Sequence, residues 1–293
     1  MNVLDEADRK RNIEGDPLGA VRILEKALPK SSDRDKPQIL LKLANYYIDI
    51  GEVGKAKKSF KEAIRISRRQ KDFLTEADAK RKFAYLLWHQ DVDKKKALVL
   101  TRNALTTLRK VGGKPKEKLK VAANIYATFG NIYGDSRDLR KASLWYHKAL
   151  KTAQKIGFKE RVVTVLGDLG NLLLWRRDFR KAEEYFQKAA RRAKRYYRHA
   201  YPSSLLRLGR LHRLTGDFKK AKKFAEQSLR VAEEENWERE KADALEVLGD
   251  IQLGLGEEAK VKKRYTQALK IYRKLKYSWN VSSVEEKLKK LPR

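Results

Sequence analysis

Residues Ser203 to Val231 read SSLLRLGRLHRLTGDFKKAKKFAEQSLRV. Leu205, Leu208, Gly209 and His212 fall at i, i+3, i+4 and i+7, the spacing that lines one face of a helix. Thr215-Gly216-Asp217-Phe218 follows, in which glycine ends one helix and aspartate caps the next. Ala221, Ala225, Ser228 and Leu229 then line a second helix. The stretch is a helical hairpin with small residues on both facing sides. Where two helices cross closely, only Gly, Ala or Ser lets the backbones approach.

The same grammar extends in both directions. It recurs at Leu43 to Ile64, Phe129 to Leu150 and Leu169 to Ala190, and with drift at Leu248 to Leu269. The second helices share an anchor at Ala20, Ala56, Ala97, Ala142, Ala182, Ala221 and, in the weakest copy, Val261. The spacings are 36, 41, 45, 40, 39 and 40 residues. A period of this size means stacked helical units that share one continuous core. Small residues recur on the first helices (Ala44, Ala84, Gly130, Gly170, Gly209, Gly249) and on the second (Ala63, Ala104, Ala149, Ala189, Ser228, Ala268). Phe60, Tyr146, Phe186 and Tyr265 are expected to fill the space between units.

These positions resemble the tetratricopeptide repeat, with a small residue in helix A, an alanine opening helix B, an aromatic one turn on and a further alanine. The resemblance runs from about Leu4 to Ile271, with a period longer than the usual 34 residues. It is nearest the forty-residue type of kinesin light chain, the LGN/Pins adaptors and MalT-like regulators. The expected fold is all-α, a right-handed superhelical solenoid of antiparallel helix pairs. Residues 1–293 would form one solenoid of about seven hairpins, the first one short, closed by a capping helix at about 280–293. Ser282 or Ser283 is expected to cap that final helix. Two departures stand out. Trp88-His89-Gln90-Asp91 replaces a glycine turn, and Lys110 to Lys116 reads as an exposed loop.

Composition bounds the function. Seventy Lys and Arg oppose 38 Asp and Glu, a net charge of +32. Such a surplus attracts polyanions, or serves only solubility. There is no cysteine, so neither a disulfide framework nor a thiolate site exists. Met1 to Asn12 carries no apolar secretion core, and no run of 18 apolar residues appears. A cytoplasmic protein without a transmembrane segment is expected. No phosphate-binding glycine loop, metal-spaced histidine pair or nucleophile elbow is present, so neither enzyme activity nor a cofactor or metal is expected.

If first helices line a concave groove, as the resemblance implies, the groove positions lie 6 and 3 before the helix A small residue and 1, 4 and 5 after it. Position +1 holds Asn45, Tyr85, Asn131, Asn171, Arg210 and Asp250. An amide both donates and accepts, so the three asparagines suit an extended peptide main chain, or else bond across the groove. Trp88, His89, Leu174 and Trp175 add contacts at +4 and +5, unless the tryptophans pack inside. Tyr85, Trp88 and Trp175 would take side chains of the ligand. Across these positions Arg81, Arg210 and Arg213 face Asp49, Asp78, Asp135, Asp243, Glu246 and Asp250, so carboxylates outnumber arginines. Asp243, Glu246 and Asp250 would favour a basic ligand end.

The basic excess falls instead on second helices, with a cluster at Arg191, Arg192, Lys194, Arg195 and Arg198 among Tyr196, Tyr197 and Tyr201. That cluster suits a single nucleic-acid strand, or is a solvated helix end. The leading expectation is a protein-interaction scaffold that binds a peptide or partner segment in the groove. The alternatives are binding of RNA, single-stranded DNA or another polyanion through the outer surface, service as the sensor module of a larger regulator, and self-association as a homo-oligomer.

Overall fold

The computed structural model describes residues 2–12, 14–90, 93–113 and 115–291. Asp91 of the irregular third turn, Lys114 of the linker and the last two residues lie outside the described residues. Every regular element among the described residues is helical. In chain order they are α1 (Val3–Asn12), α2 (Pro17–Ala27), α3 (Lys36–Asp49), α4 (Val53–Arg69), α5 (Phe73–His89), α6 (Lys94–Arg109), α7 (Pro115–Asp135) and α8 (Leu139–Lys155). Then come α9 (Lys159–Trp175), α10 (Phe179–Tyr196), α11 (Tyr201–Leu214), α12 (Phe218–Glu234), α13 (Glu238–Gly254), α14 (Glu258–Leu275) and α15 (Ser278–Lys289). No helix among them is long and apolar enough to cross a membrane.

One chemistry recurs in the turns between helices. Asp72, Asp138, Asp178 and Asp217 are N-caps whose side chains accept the backbone N–H three residues on. Each such cap contributes about 1 kcal/mol. In three of them the N–H belongs to a lysine whose ammonium returns to the same carboxylate: Lys141 at 2.7 Å, Lys181 at 3.3 Å and Lys220 at 3.0 Å. The residue before the cap takes a left-handed conformation: Lys71 (φ 56°), Arg137 (φ 60°), Arg177 (φ 58°) and Gly216 (φ 81°). Only glycine adopts this freely, yet three of the four turns spend a long basic side chain there.

Packing follows the small residues. All seven anchors are fully buried. First and second helices pack as α1 on α2, α3 on α4, α5 on α6, α7 on α8, α11 on α12 and α13 on α14. The large aromatics sit chiefly inside their own hairpins rather than between hairpins. A Cβ on Gly130, Gly170 or Gly249 would lie 2.4 Å from the ring of Tyr146, Phe186 or Tyr265, on the second helix of the same pair. Burying a ring of this size stabilises by about 2 kcal/mol or more. Phe60 does reach the next hairpin, where it stacks on Phe83 at 5.9 Å between centroids.

The chain divides into two compact units, Met1–Arg161 and Val162–Arg293, with the division in the first turn of α9. In the N-terminal unit α3, α5 and α7 lie against one another in succession, so first helices form a wall. In the C-terminal unit α11 and α13 do the same, and α15 packs on α14. Helix α15 begins at Ser278, which leaves Ser282 and Ser283 inside the helix and not at its cap. The expected serine cap is therefore corrected; Tyr277 stands there and makes no side-chain capping bond.

Candidate functional site: the inner walls

In the N-terminal unit the wall encloses a cavity of about 520 Å³. Asn45, Tyr85 and Asn131 line it together, along with Arg11, Lys42 and Asn124. Its charges are largely paired. Arg11 holds Asp49 at 2.6 Å, and Asp8 accepts from both Lys42 and the Tyr46 hydroxyl. Burial and the neighbouring Asp8 together push the Tyr46 phenol above its usual range. Arg81 and Lys82 flank Asp78 at 2.8 and 3.4 Å. Burial alone would raise the Asp78 carboxyl, but these two cations outweigh it and bring it down to about 2. The Asn124 Oδ1 is buried without a protein partner.

Tyr85 is 40% exposed and packs on Trp88 and His89, with centroids at 5.2 and 5.7 Å. Trp88 is half-buried, and its indole N–H donates to Asp135 at 2.9 Å.

The C-terminal unit has its own cavity, about 350 Å³, lined by Asn171, Leu174, Arg207, Arg210, Arg213 and Leu214, among others. Trp175 is 41% exposed and is not part of that lining. Arg207 was not legible at any groove position. Its guanidinium lies flat on Gly167, where a Cβ would come within 2.8 Å of its Cζ, and it reaches Asp168 at 3.5 Å. The glycine at position −3 of α9 was the available signal.

Asp243, Glu246 and Asp250 lie on α13 and are engaged from within the chain. The Tyr272 hydroxyl stands 2.6 Å from Asp243 and 3.0 Å from Glu246. The Tyr265 hydroxyl donates to Asp250 at 2.7 Å. Lys287 of α15 reaches Glu246 and Asp250 at 2.7 and 2.8 Å. Burial and these carboxylates push both phenols above their usual range.

A smaller cavity of about 220 Å³ lies beside His199 and Glu240. Burial raises the Glu240 carboxyl, against the pull of His199 at 3.7 Å.

The asparagines differ in how they are held. The Asn131 Oδ1 accepts from the Tyr146 hydroxyl at 2.8 Å. The residue standing in the place of Tyr146 is Phe60 opposite Asn45 and Phe186 opposite Asn171, and a phenyl ring offers no donor. Among the described residues neither Asn45 nor Asn171 has a side-chain hydrogen-bond partner, and both are half-buried.

On the outer side of α10, Arg191, Arg192, Lys194 and Arg195 are exposed and have no carboxylate partner among the described residues. Arg195 lies over Tyr196 and Lys194 over Tyr201. Arg198 differs, since Glu234 and Glu235 hold it.

Residues 161–234 match a family model described as tetratricopeptide repeat, and residues 37–70 match a second with the same description. No curated protein matches the chain. Among solved structures, BtubC (BKLC) from P. vanneervenii is similar at 21% identity and a TM-score of 0.59, covering 74% of this chain and 89% of that one. The STAND protein PH0952 from Pyrococcus horikoshii, which has a tetratricopeptide repeat sensor, is similar at 22% identity and a TM-score of 0.58. That match covers 98% of this chain and 43% of PH0952. A Rap protein complexed with competence and sporulation factor reaches a TM-score of 0.66 at 14% identity, covering 92% of this chain and 78% of that one. At these identities the likeness is one of fold. With helices packed in adjacent pairs, buried small-residue anchors and two matching repeat models, the chain carries tetratricopeptide repeats.

Proposed function

We propose that this protein captures an extended segment of a partner protein along the inner walls of its first helices. One observation carries the reading. Asn45 and Asn171 occupy the same repeat position, line a cavity each, and keep both donor and acceptor uncommitted. A half-buried amide with no internal partner is suited to bond the N–H and C=O of a peptide main chain. Tyr85 and Leu174 stand beside them to take side chains. The Rap protein of similar fold is complexed with a separate factor, in keeping with this use of the fold.

The test begins with a partner recovered by affinity capture from the native host, narrowed to a binding peptide. Alanine at both Asn45 and Asn171 should weaken that peptide at least about tenfold, roughly 1.4 kcal/mol. Phe186→Tyr should weaken it as well, because the new hydroxyl would bond Asn171 as Tyr146 bonds Asn131. Unchanged affinity in both variants would exclude main-chain capture.

The exposed cations of α10 favour a second reading, binding of a nucleic-acid strand on the outer surface. Gel shifts of random RNA across a salt series decide it, since release of counterions makes such binding steeply salt-dependent. No shift at low salt removes this reading.

A further inference from the structure

Exposed apolar side chains gather at the turns inside the C-terminal hairpins. Helix α9 ends on Trp175 and α10 opens on Phe179, α11 ends on Leu214, and Leu255 follows the last residue of α13. All four are exposed, Leu214 at 58% and Leu255 at 43%. Leu253 joins them, whereas the exposed Tyr196 and Trp279 lie elsewhere in this unit. The turns fall along one edge, because the hairpins pack in succession. Helix α11 lies against α13, and the ring of Phe218 in the second turn covers Gly254 beside the third. Trp175, Phe179 and Leu255 line none of the cavities described above. Apolar side chains that are exposed together and rimmed by charge mark a contact site for protein or membrane.

The rim is cationic. Between residues 175 and 181, Arg176, Arg177, Arg180 and Lys181 oppose Asp178, and between 214 and 220, Lys219 and Lys220 oppose Asp217. All six cations are exposed. At the third turn Glu257 and Glu258 outnumber Lys260, so the positive charge belongs to the first two turns. Arg177 takes a left-handed conformation where Gly216 and Gly256 stand in the next two turns, so the first turn holds a cation at a position where glycine costs less.

We propose that this edge docks the protein on an anionic lipid surface, with Trp175, Phe179, Leu214 and Leu255 at headgroup level and the cations of the first two turns on lipid phosphates. Tryptophan suits that boundary, since its ring is apolar and its N–H polar. Peripheral attachment draws on both terms, buried apolar area and attraction to anionic lipid. Projecting tips with long, flexible cations fit a deformable plane. A nucleic-acid strand would use the cations and stack on Trp175 and Phe179, but gains nothing from the leucines. The edge lies apart from the asparagine wall, so this docking stands or falls independently of groove capture.

The test sediments the full chain with vesicles of phosphatidylcholine, alone or mixed with phosphatidylglycerol. The mixed vesicles should bind it and the plain ones should not, and added salt should weaken the binding. Trp175→Ser with Leu255→Ser should weaken it at least about tenfold, and so should Arg176→Glu with Arg180→Glu. All four residues are exposed, so both variants keep their fold, as circular dichroism verifies. Alanine at both Asn45 and Asn171 should leave vesicle binding as in the wild type. Phosphatidylcholine brominated on its acyl chains, used in the mixed vesicles, should quench the wild type's fluorescence and clearly less that of Trp175→Phe.

Mixed vesicles that leave the protein in solution would overturn the proposal. So would binding that ignores both edge variants but is lost when Arg191 and Arg195 become alanine, since the attraction would then belong to the outer face of α10. Equal quenching of the wild type and Trp175→Phe would sink it too, because the edge would not enter the lipid. An RNA gel shift weakened by Trp175→Ser with Leu255→Ser, with vesicles unbound, would give the edge to nucleic acid instead.

Discussion

The pairs Asn131 with Tyr146 and Asp250 with Tyr265 share one separation along the chain, and Asn45 with Phe60 and Asn171 with Phe186 repeat it. A tyrosine ties the wall residue down; a phenylalanine leaves it open. The asparagine register was legible in the sequence, but the difference between its members was not. It depends on a single oxygen contributed from the opposite helix.

Asp78 shows the same dependence on neighbours. Its folded carboxyl lies at about 2, where Arg81 and Lys82 outweigh the cost of burial. A depressed carboxylate adds stability above its unfolded value and loses it as pH falls through the folded one. The interaction thus contributes about 2 kcal/mol at neutral pH and fades between about pH 4 and pH 2. Across that interval the wild type should lose more stability in urea melts than Asp78→Asn. Parallel curves would show that the pair adds nothing.

Among the elements, the hairpins were legible because close helix crossing demands small residues at fixed spacing. Gly130, Gly170 and Gly249 each lie under an aromatic ring, while Gly209 faces Ala225 at the matching position and has no ring over it. Gly170→Ala drives a Cβ to 2.4 Å from Phe186 and should cost about 2 kcal/mol through overpacking. Gly209→Ala meets its nearest atom only at 3.3 Å and should cost clearly less in the same thermal melts. Equal losses would mean that the backbone crossing, and not the ring, sets the requirement. Boundaries were less legible than pairing. Helix α15 starts ahead of both candidate capping serines because Tyr277 packs on the last core cluster and fixes the chain's re-entry there.

For the whole molecule, a charge of +32 sets exposed cations against one another. Added NaCl should raise the melting temperature as the screening length shortens from about 30 Å to about 8 Å. A fall instead would mean that internal ion pairs outweigh this repulsion. The partners of the inner-wall carboxylates are where sequence reading stopped. Counting residue types made the groove acidic, yet each counted carboxylate proves to be bonded by a tyrosine, a tryptophan, a lysine or an arginine of its own unit. Apart from Arg81, which shares α5 with Asp78, those partners come from other helices.

The recurring turn has a practical consequence. Arg177-Asp178-Phe179 and Gly216-Asp217-Phe218 close successive hairpins with the same capping geometry. Joining Asp178 directly to Phe218 would excise α10 and α11 while keeping an aspartate three residues ahead of Lys220. Arg207, Arg210 and Arg213 would leave with the excised piece, since α11 carries all three. Chains of this kind can thus gain or shed a set of wall residues by in-frame duplication or loss of one cassette, with no new turn to invent.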